Sequence, residues 1–160
     1  MKIIVDSREK WTQSGRDQHI SGYFQKNGIE WEVKKLDCGD YMEPGGKISV
    51  DRKKNLDELA INFLNKTDRM RFMNEIRRAR QSGIKLVILC EHGGKIKSYE
   101  DVRNWQSKYS KVTGKALADA IFRLYVSYGV QVLFCDKRHT GQRIVEMLSD
   151  VNERNGVALD

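Results

Sequence analysis

One proline in 160 residues, three cysteines and three histidines are the scarcities that narrow the reading of this chain. Cys38, Cys90 and Cys135 form an odd, dispersed set with no Cys-x-x-Cys spacing. A disulfide framework is therefore excluded, and a reducing intracellular setting is expected: cytoplasm or nucleoid, or a nucleus in a eukaryote. His19, His92 and His139 are scattered and lack ligand spacing such as His-Glu-x-x-His, so no zinc site is expected. No apolar run approaches the roughly 20 residues of a membrane helix. The longest, Leu86–Cys90, has the length of a strand, and no membrane partner is expected. Met1–Val5 meets Asp6 too soon for a signal peptide. Gly93-Gly94 is not followed by the Gly-Lys-Ser or Gly-Lys-Thr of a phosphate loop. Repeats, low-complexity tracts and long linkers are missing too, so residues 1–160 are expected to form a single domain with a real core.

What the chain has in excess is positive charge. Its formal net charge is +7, with a pI of about 9.3, which is compatible with a nucleic-acid partner without requiring one. Distribution is more informative. Lys66–Arg80 carries six basic residues (Lys66, Arg69, Arg71, Arg77, Arg78, Arg80) against Asp68 and Glu75. Such a run is either a solvated helix face or a surface that tracks phosphates. The same two readings stand for Lys95, Lys97 and the Lys108–Lys115 stretch. Trp11, Trp31 and Trp105 either stack on bases or are buried.

Periodicity predicts strands at Met1–Val5, Ile29–Leu36, Ile84–Glu91 and Val130–Cys135, and helices at Asp17–Lys26, from Leu56, from a Thr67 cap, at Ser98–Gln106, at Lys115–Tyr128 and at Thr140–Glu153. Ile84–Glu91, apolar from Leu86 to Cys90, is a hydrophobic run and reads as a central strand covered on both faces. Pro44-Gly45-Gly46 marks a turn between Cys38–Glu43 and Lys47–Arg52, giving a hairpin. A hairpin followed by alternating strands and helices predicts an α/β domain with a mixed sheet flanked by helices.

The hairpin carries the chemistry. Residues two apart on a strand share a face, so Asp51 and Lys53 project together, roughly 6.6 Å apart along the chain, and Arg52 projects the other way. Asp40 is the second carboxylate. A plain three-residue loop pairs Asp40 with Val50 and sends the two carboxylates to opposite faces. A joint site needs an even-numbered loop or a bulge, and Gly45 or Gly46 is the expected bulge position. Two carboxylates suit a hard cation that polarises a phosphate and lowers the pKa of a water. A lysine beside them can hold that water or offset charge developing on phosphorus. The bland alternative is a surface hairpin with an ordinary salt bridge.

The residues Val5-Asp6-Ser7-Arg8-Glu9, Gly39-Asp40-Tyr41, Asp51-Arg52-Lys53 with Asp57 four positions on, and the strand Leu86–Glu91 together resemble the nuclease domain of the XPF family of structure-specific endonucleases, a PD-(D/E)xK branch. The resemblance covers nearly the whole chain. It implies a restriction-endonuclease-like fold, a divalent-metal-dependent DNA endonuclease acting at branched, flapped or junction DNA, and Mg²⁺ or Mn²⁺ held by Asp6, Asp40 and Asp51. Lys53 and Arg8 would complete the catalytic group. It further implies dimerisation of nuclease domains, with the last two helices as the expected apolar surface. Asp51 stands where the family has Glu, one methylene longer, which bears on metal preference. Family members usually add a tandem helix-hairpin-helix module, for which 160 residues have no room.

Candidate phosphate contacts are Arg52, Lys54, Arg69, Arg77 and Arg78; for Arg52 the competing reading is a brace across the sheet or a partner for an acid. Arg8 and Glu9 can also pair locally, and Asp57 suits the first turn of a helix on dipole grounds alone. The functional alternatives are a catalytically silent DNA-binding or docking module of the same fold, a Holliday-junction resolvase, and a small regulatory protein with an incidental match.

Overall fold

The computed structural model describes residues 1–15, 18–92 and 95–149. In chain order the elements are β1 (Lys2–Asp6), α1 (Trp11–Ser14), α2 (Gln18–Lys26), β2 (Glu30–Lys34), β3 (Tyr41–Met42), β4 (Ile48–Lys53), α3 (Leu56–Leu64), α4 (Lys66–Gln81), β5 (Lys85–Glu91), α5 (Tyr99–Val102), α6 (Gly114–Tyr128), β6 (Gln131–Cys135) and α7 (Thr140–Ser149). The six strands form one mixed sheet in the order β2-β1-β3-β4-β5-β6. β1 and β3, and β3 and β4, pair antiparallel; the remaining neighbours are parallel.

Alternation along the central strands divides the core in two. Ile48 and Val50 of β4, with Val87 and Leu89 of β5, pack with Ile3 and Val5 against Ile20 and Phe24 of α2 and Ile144, Met147 and Leu148 of α7. Leu86, Ile88 and Cys90 face the other way, onto Leu59 and Phe63 of α3, Phe72 and Ile76 of α4, and Leu117 and Ile121 of α6. Both faces of β4 and β5 are thus covered, as the unbroken apolar run of β5 predicts. By the same alternation Arg52 and Glu91 lie on the α2/α7 face, and Asp51 and Lys53 on the α3/α4 face.

Several predicted boundaries shift for local reasons. Asn65, not Thr67, caps α4: its side chain accepts from the Asp68 amide at 3.2 Å while its own amide closes α3 on Ile61, so one residue ends one helix and starts the next. The predicted helix Ser98–Gln106 stops at Val102, because Gln106 bridges to Thr113 and the intervening residues turn back. The short helix Trp11–Ser14 has no counterpart in the sequence reading. The predicted position Asp17 and the end of the closing helix, Val151–Glu153, lie outside the described residues.

The hairpin turn decides the site. Tyr41 pairs with Val50 and Met42 with Ser49, leaving six residues between paired positions, an even number. The Gly46 amide donates to the Glu43 carbonyl at 2.9 Å, with Pro44 and then Gly45 (φ 69°) between them, the arrangement of a type II turn. The parity condition is met by loop length, with no bulge at Gly45 or Gly46; Asp40 lies at the bend before β3, its amide donating to the Val50 carbonyl at 2.8 Å. Gly39 has a stricter role. Its φ is 69°, and a Cβ there would lie 2.1 Å from Ser49 Oγ and 3.2 Å from the Val50 carbonyl oxygen. Ser49 cannot simply swing aside, since its hydroxyl donates to the Cys38 carbonyl at 2.7 Å. Gly39→Ala is therefore expected to destabilise the protein by about 3 kcal/mol, through strain and overpacking together. Gly45→Ala, with an equal φ and open space around it, is expected to cost about 1 kcal/mol. Denaturant midpoints of the two variants check the contrast.

Candidate active site

Asp6 ends β1, Asp40 sits at the bend just before β3 and Asp51 lies in β4, so the three come together at one end of the sheet. Val5 faces Tyr41 and Tyr41 faces Val50; beyond them the Asp6 amide donates to the Asp40 carbonyl at 2.7 Å. Neighbouring strands lie roughly 4.8 Å apart, so Asp6 and Asp51 are separated by about 10 Å, with Asp40 between them. The three share one end of the sheet, but their carboxylates do different things.

Asp6 is fully buried. Its Oδ1 accepts from the Leu36 amide at 2.8 Å and its Oδ2 from Arg8 Nε at 2.7 Å. It does not line the cleft that Asp40 and Asp51 share; it ties the end of β1 to the following strand connection and holds Arg8, whose guanidinium also reaches the Leu36 carbonyl. The pairing with Asp6 raises the Arg8 pKa further, against the small opposing effect of burial. Arg8 therefore stands as a fixed cation at the cleft rim.

Asp40 and Asp51 do meet in a cleft of about 460 Å³, bordered also by Arg8, Lys53, Glu58, Arg71, Glu75 and Arg78. The Arg52 backbone amide donates to Asp40 Oδ2 at 2.7 Å, which fixes that carboxylate over β4. Asp40 keeps some solvent access, yet protein atoms crowd it. Lost hydration first, then the charges of Asp51 and Glu9, push its pKa well above the usual carboxylate range, and the Arg52 amide only partly offsets this. Lys53 Nζ lies 3.2 Å from Asp51 Oδ1, with Asn62 Oδ1 at 3.4 Å and the Phe72 ring beneath it. Burial alone would lower the lysine pKa; the charges of Asp51 and Asp40 reverse that, and the net shift is upward. Lys53 is thus a charged donor at neutral pH, not a base.

The sequence reading missed Glu75. It projects from α4 beside Asp51, and burial, then the Asp51 charge, push its pKa up to about 7. Its signal was present: an acid inside a basic run, with Arg71, Glu75 and Arg78 at i, i+4 and i+7 on one helix face. The same spacing sorts the predicted phosphate contacts. Arg78 borders the cleft and is steadied by its Nε donating to the Asp37 carbonyl at 2.9 Å. Arg77 is exposed and pairs with Asn74, and Lys54 is exposed at the start of α3. Arg69 borders a separate groove with Phe63, Met73 and Arg123.

For Arg52 the structure corrects the DNA-contact reading and supports the brace. It is 3% exposed. Its Nη1 lies 2.9 Å from Glu9 Oε2, and its Nε donates to Glu91 Oε1. Glu9 also accepts from the Tyr41 hydroxyl, which in turn accepts from Trp11 Nε1 at 2.7 Å. Asp57 does not enter the cleft; it accepts from Ser107 Oγ at 2.5 Å.

Among the described residues no group of three or more His, Cys, Asp or Glu side chains is assembled around a metal position. The donors that do converge, Asp40 and Asp51, still fit a hard divalent cation. Mg²⁺ commonly takes one or two carboxylates and completes its shell with water and phosphate oxygens. Like-charge crowding at Asp40 and Glu75 is the electrostatic condition such a cation would relieve. A slightly larger cavity, about 560 Å³ at the opposite ends of β4 and β5, is bordered by the Pro44–Gly46 turn, Gly83 and Leu148 and lies away from these groups.

The ERCC4 domain family model matches residues 5–148. Among solved structures, XPF from Aeropyrum pernix matches with a TM-score of 0.66 at 19% identity, over 100% of this chain and 65% of that one. XPF from Aeropyrum pernix in complex with DNA matches with a TM-score of 0.66 at 18% identity, over 99% and 68%. The chain thus spans a little under two thirds of the first of these structures, and at such identities the likeness establishes the fold alone. That fold is the mixed α/β XPF nuclease fold. No curated protein matches in sequence.

A pH dependence follows from Glu75. In the unfolded chain its carboxyl titrates near 4.5, and in the folded protein near 7. The folded state holds the proton more tightly, so its contribution to stability is present below pH 4.5 and lost as pH rises toward 7. With divalent ions chelated, Glu75→Gln is expected to gain on wild type by on the order of 1 kcal/mol between pH 5 and pH 8, after allowance for solvent screening. Unfolding midpoints across that range test this; a difference that stays flat contradicts it.

Proposed function

The chain belongs to the ERCC4 domain family, and from that premise we propose that it is a divalent-metal-dependent DNA endonuclease, a single nuclease domain that hydrolyses phosphodiester bonds at branched, flapped or junction DNA. One observation carries the reading: Asp40 and Asp51 line the same cleft, with the Lys53 ammonium 3.2 Å from the second carboxylate.

Asp40 and Asp51 would hold Mg²⁺ or Mn²⁺, which when bound supplies Lewis-acid polarisation of the phosphate and a more acidic water. Asp6 serves this site at one remove, by holding Arg8. Lys53, charged and aimed into the cleft, offsets negative charge that develops on the phosphorane; its raised pKa favours this role over proton abstraction. Arg8, Arg71 and Arg78 border the cleft and suit the phosphates flanking the scissile bond. Glu58 and Glu75 limit how closely an anion can approach when the cation is missing.

For the dimer that the family likeness implied, the exposed apolar side chains Phe122, Tyr125 and Val126 of α6 offer a surface. The closing helix does not, because Ile144, Met147 and Leu148 are spent on the core. No helix among the described residues is long and apolar enough to cross a membrane. DNA as substrate fits an intracellular site of action.

Purified protein incubated with labelled flap, fork, Holliday-junction and duplex DNA, with Mg²⁺, Mn²⁺ or chelator, tests the proposal. Cleavage of a branched substrate that needs the metal is expected. Asp51→Asn and Lys53→Ala are each expected to lose on the order of 10²–10³ in rate, the usual cost of removing one preorganised group at a site of developing charge. Salt-sensitive binding without cleavage under every metal condition would overturn the nuclease reading in favour of a silent DNA-binding module.

A further inference from the structure

The segment between α5 and α6 presents an arrangement that hydrolysis at the cleft does not require. Tyr109 is 85% exposed, the most exposed of the large hydrophobic side chains among the described residues. The backbone beneath it is fastened at several points. Ser107 is buried; its Oγ accepts from the Tyr109 amide at 3.1 Å and the Ser110 amide at 3.0 Å, and donates to Asp57 Oδ1 at 2.5 Å. Ser110 Oγ accepts from the Val112 amide at 3.3 Å, and Gln106 Nε2 donates to the Val112 carbonyl at 2.9 Å. A bridge between Gln106 and Thr113 closes the base of the loop. The result is a rigid turn that lifts Tyr109 into solvent between Lys108 and Lys111, both exposed.

Position adds to the argument. The carboxylate that holds the turn belongs to Asp57, in the first turn of α3, next to Glu58 of the cleft and four residues from Lys53. The turn is therefore docked on the helix that the catalytic strand runs into. An exposed aromatic ring with exposed lysines one and two positions away in sequence has the chemistry to meet an unpaired base and its phosphates: the ring stacks on the base and the lysines meet the backbone. A fully paired duplex keeps its base faces covered and offers only the phosphates.

We propose that Tyr109, with Lys108 and Lys111, is a stacking post for an unpaired base beside the cleaved strand, so that this loop contributes the preference for branched over plain duplex DNA. The inference rests on the nuclease reading of the cleft, and its test is separable from it. Binding is measured in chelator, without cleavage, to a fork carrying 2-aminopurine at its first unpaired position and to a duplex of the same length. Wild type is expected to bind the fork more tightly and to change the 2-aminopurine fluorescence on stacking. Tyr109→Ala is expected to lose roughly tenfold on the fork, together with the fluorescence change, and to bind duplex as wild type does, since base–aromatic stacking is absent from the duplex complex. Tyr109→Phe keeps the ring and is expected to restore both. Lys108→Ala with Lys111→Ala is expected to weaken both DNAs and to flatten the salt dependence. An unchanged thermal midpoint for Tyr109→Ala confirms that the exposed side chain was not structural. If Tyr109→Ala keeps the fork preference and the fluorescence change, or if wild type shows neither, the stacking post is wrong while the cleft can still cut. If wild type binds neither DNA in chelator, the stacking post is likewise wrong, and the nuclease reading is decided separately by cleavage with metal present.

Discussion

The cleft end of the sheet depends on the guanidinium of Arg52, buried between Glu9 and Glu91. A charge so enclosed is costly to desolvate, and what offsets the cost is pairing on two sides by groups from two other elements. Glu9 comes from the connection after β1, and Glu91 from the end of β5, so one side chain of β4 fixes the spacing of three strand ends. Tyr41 and Trp11 extend the network to β3 and α1. Taking away Arg52 would strip both glutamates of their cation, at a typical cost of about 3–5 kcal/mol for breaking a buried pair. The same residue acts on the opposite face through its backbone, where its amide holds Asp40. Consecutive residues of β4 therefore divide the labour by alternation: Asp51 and Lys53 enter the cleft, and Arg52 anchors the sheet behind it.

Electrostatics then set what the cleft can do. Asp40 and Glu75 are pushed toward the neutral form by burial and by Asp51, whereas Lys53 is held charged by the same carboxylates. Left alone, the site stores like-charge repulsion; a divalent cation would remove it and leave Lys53 and the arginines of the rim facing the phosphates. The net positive charge of the chain is thus organised, with Arg8, Arg71 and Arg78 around a small acidic floor. The turn bearing Tyr109 is fastened to Asp57, next in sequence to Glu58 of that floor.

Much of this was legible in the sequence because period-2 alternation is local. The unbroken run Leu86–Cys90 announced a strand covered on both faces, and the spacing of Asp51 and Lys53 announced a shared face. Loop parity was harder. Gly45 reads equally as a bulge or as the third residue of a type II turn, and only the pairing of Tyr41 with Val50 separates the two. Asp6 and Arg52 were the least legible for a common reason: a charged residue in a short motif looks the same whether its partner is a ligand or a neighbour thirty or more residues away. Leu36 satisfies Asp6, and Glu91 satisfies Arg52. Glu75 and Arg71 were hidden differently. A basic run draws attention to its total charge, while the cleft reads only the face that turns inward. Asp57 read as a motif residue or as an acid suited to the helix dipole, and the Ser107 hydroxyl that it meets lies fifty residues on.

The most direct test of the account is Mn²⁺ titration of the metal-free protein, followed by electron paramagnetic resonance without DNA. The account predicts one saturable site in the wild-type chain, retained in Asp6→Asn, whose carboxylate is already committed to Leu36 and Arg8, and lost in Asp51→Asn. Retention in Asp51→Asn with loss in Asp6→Asn would contradict it.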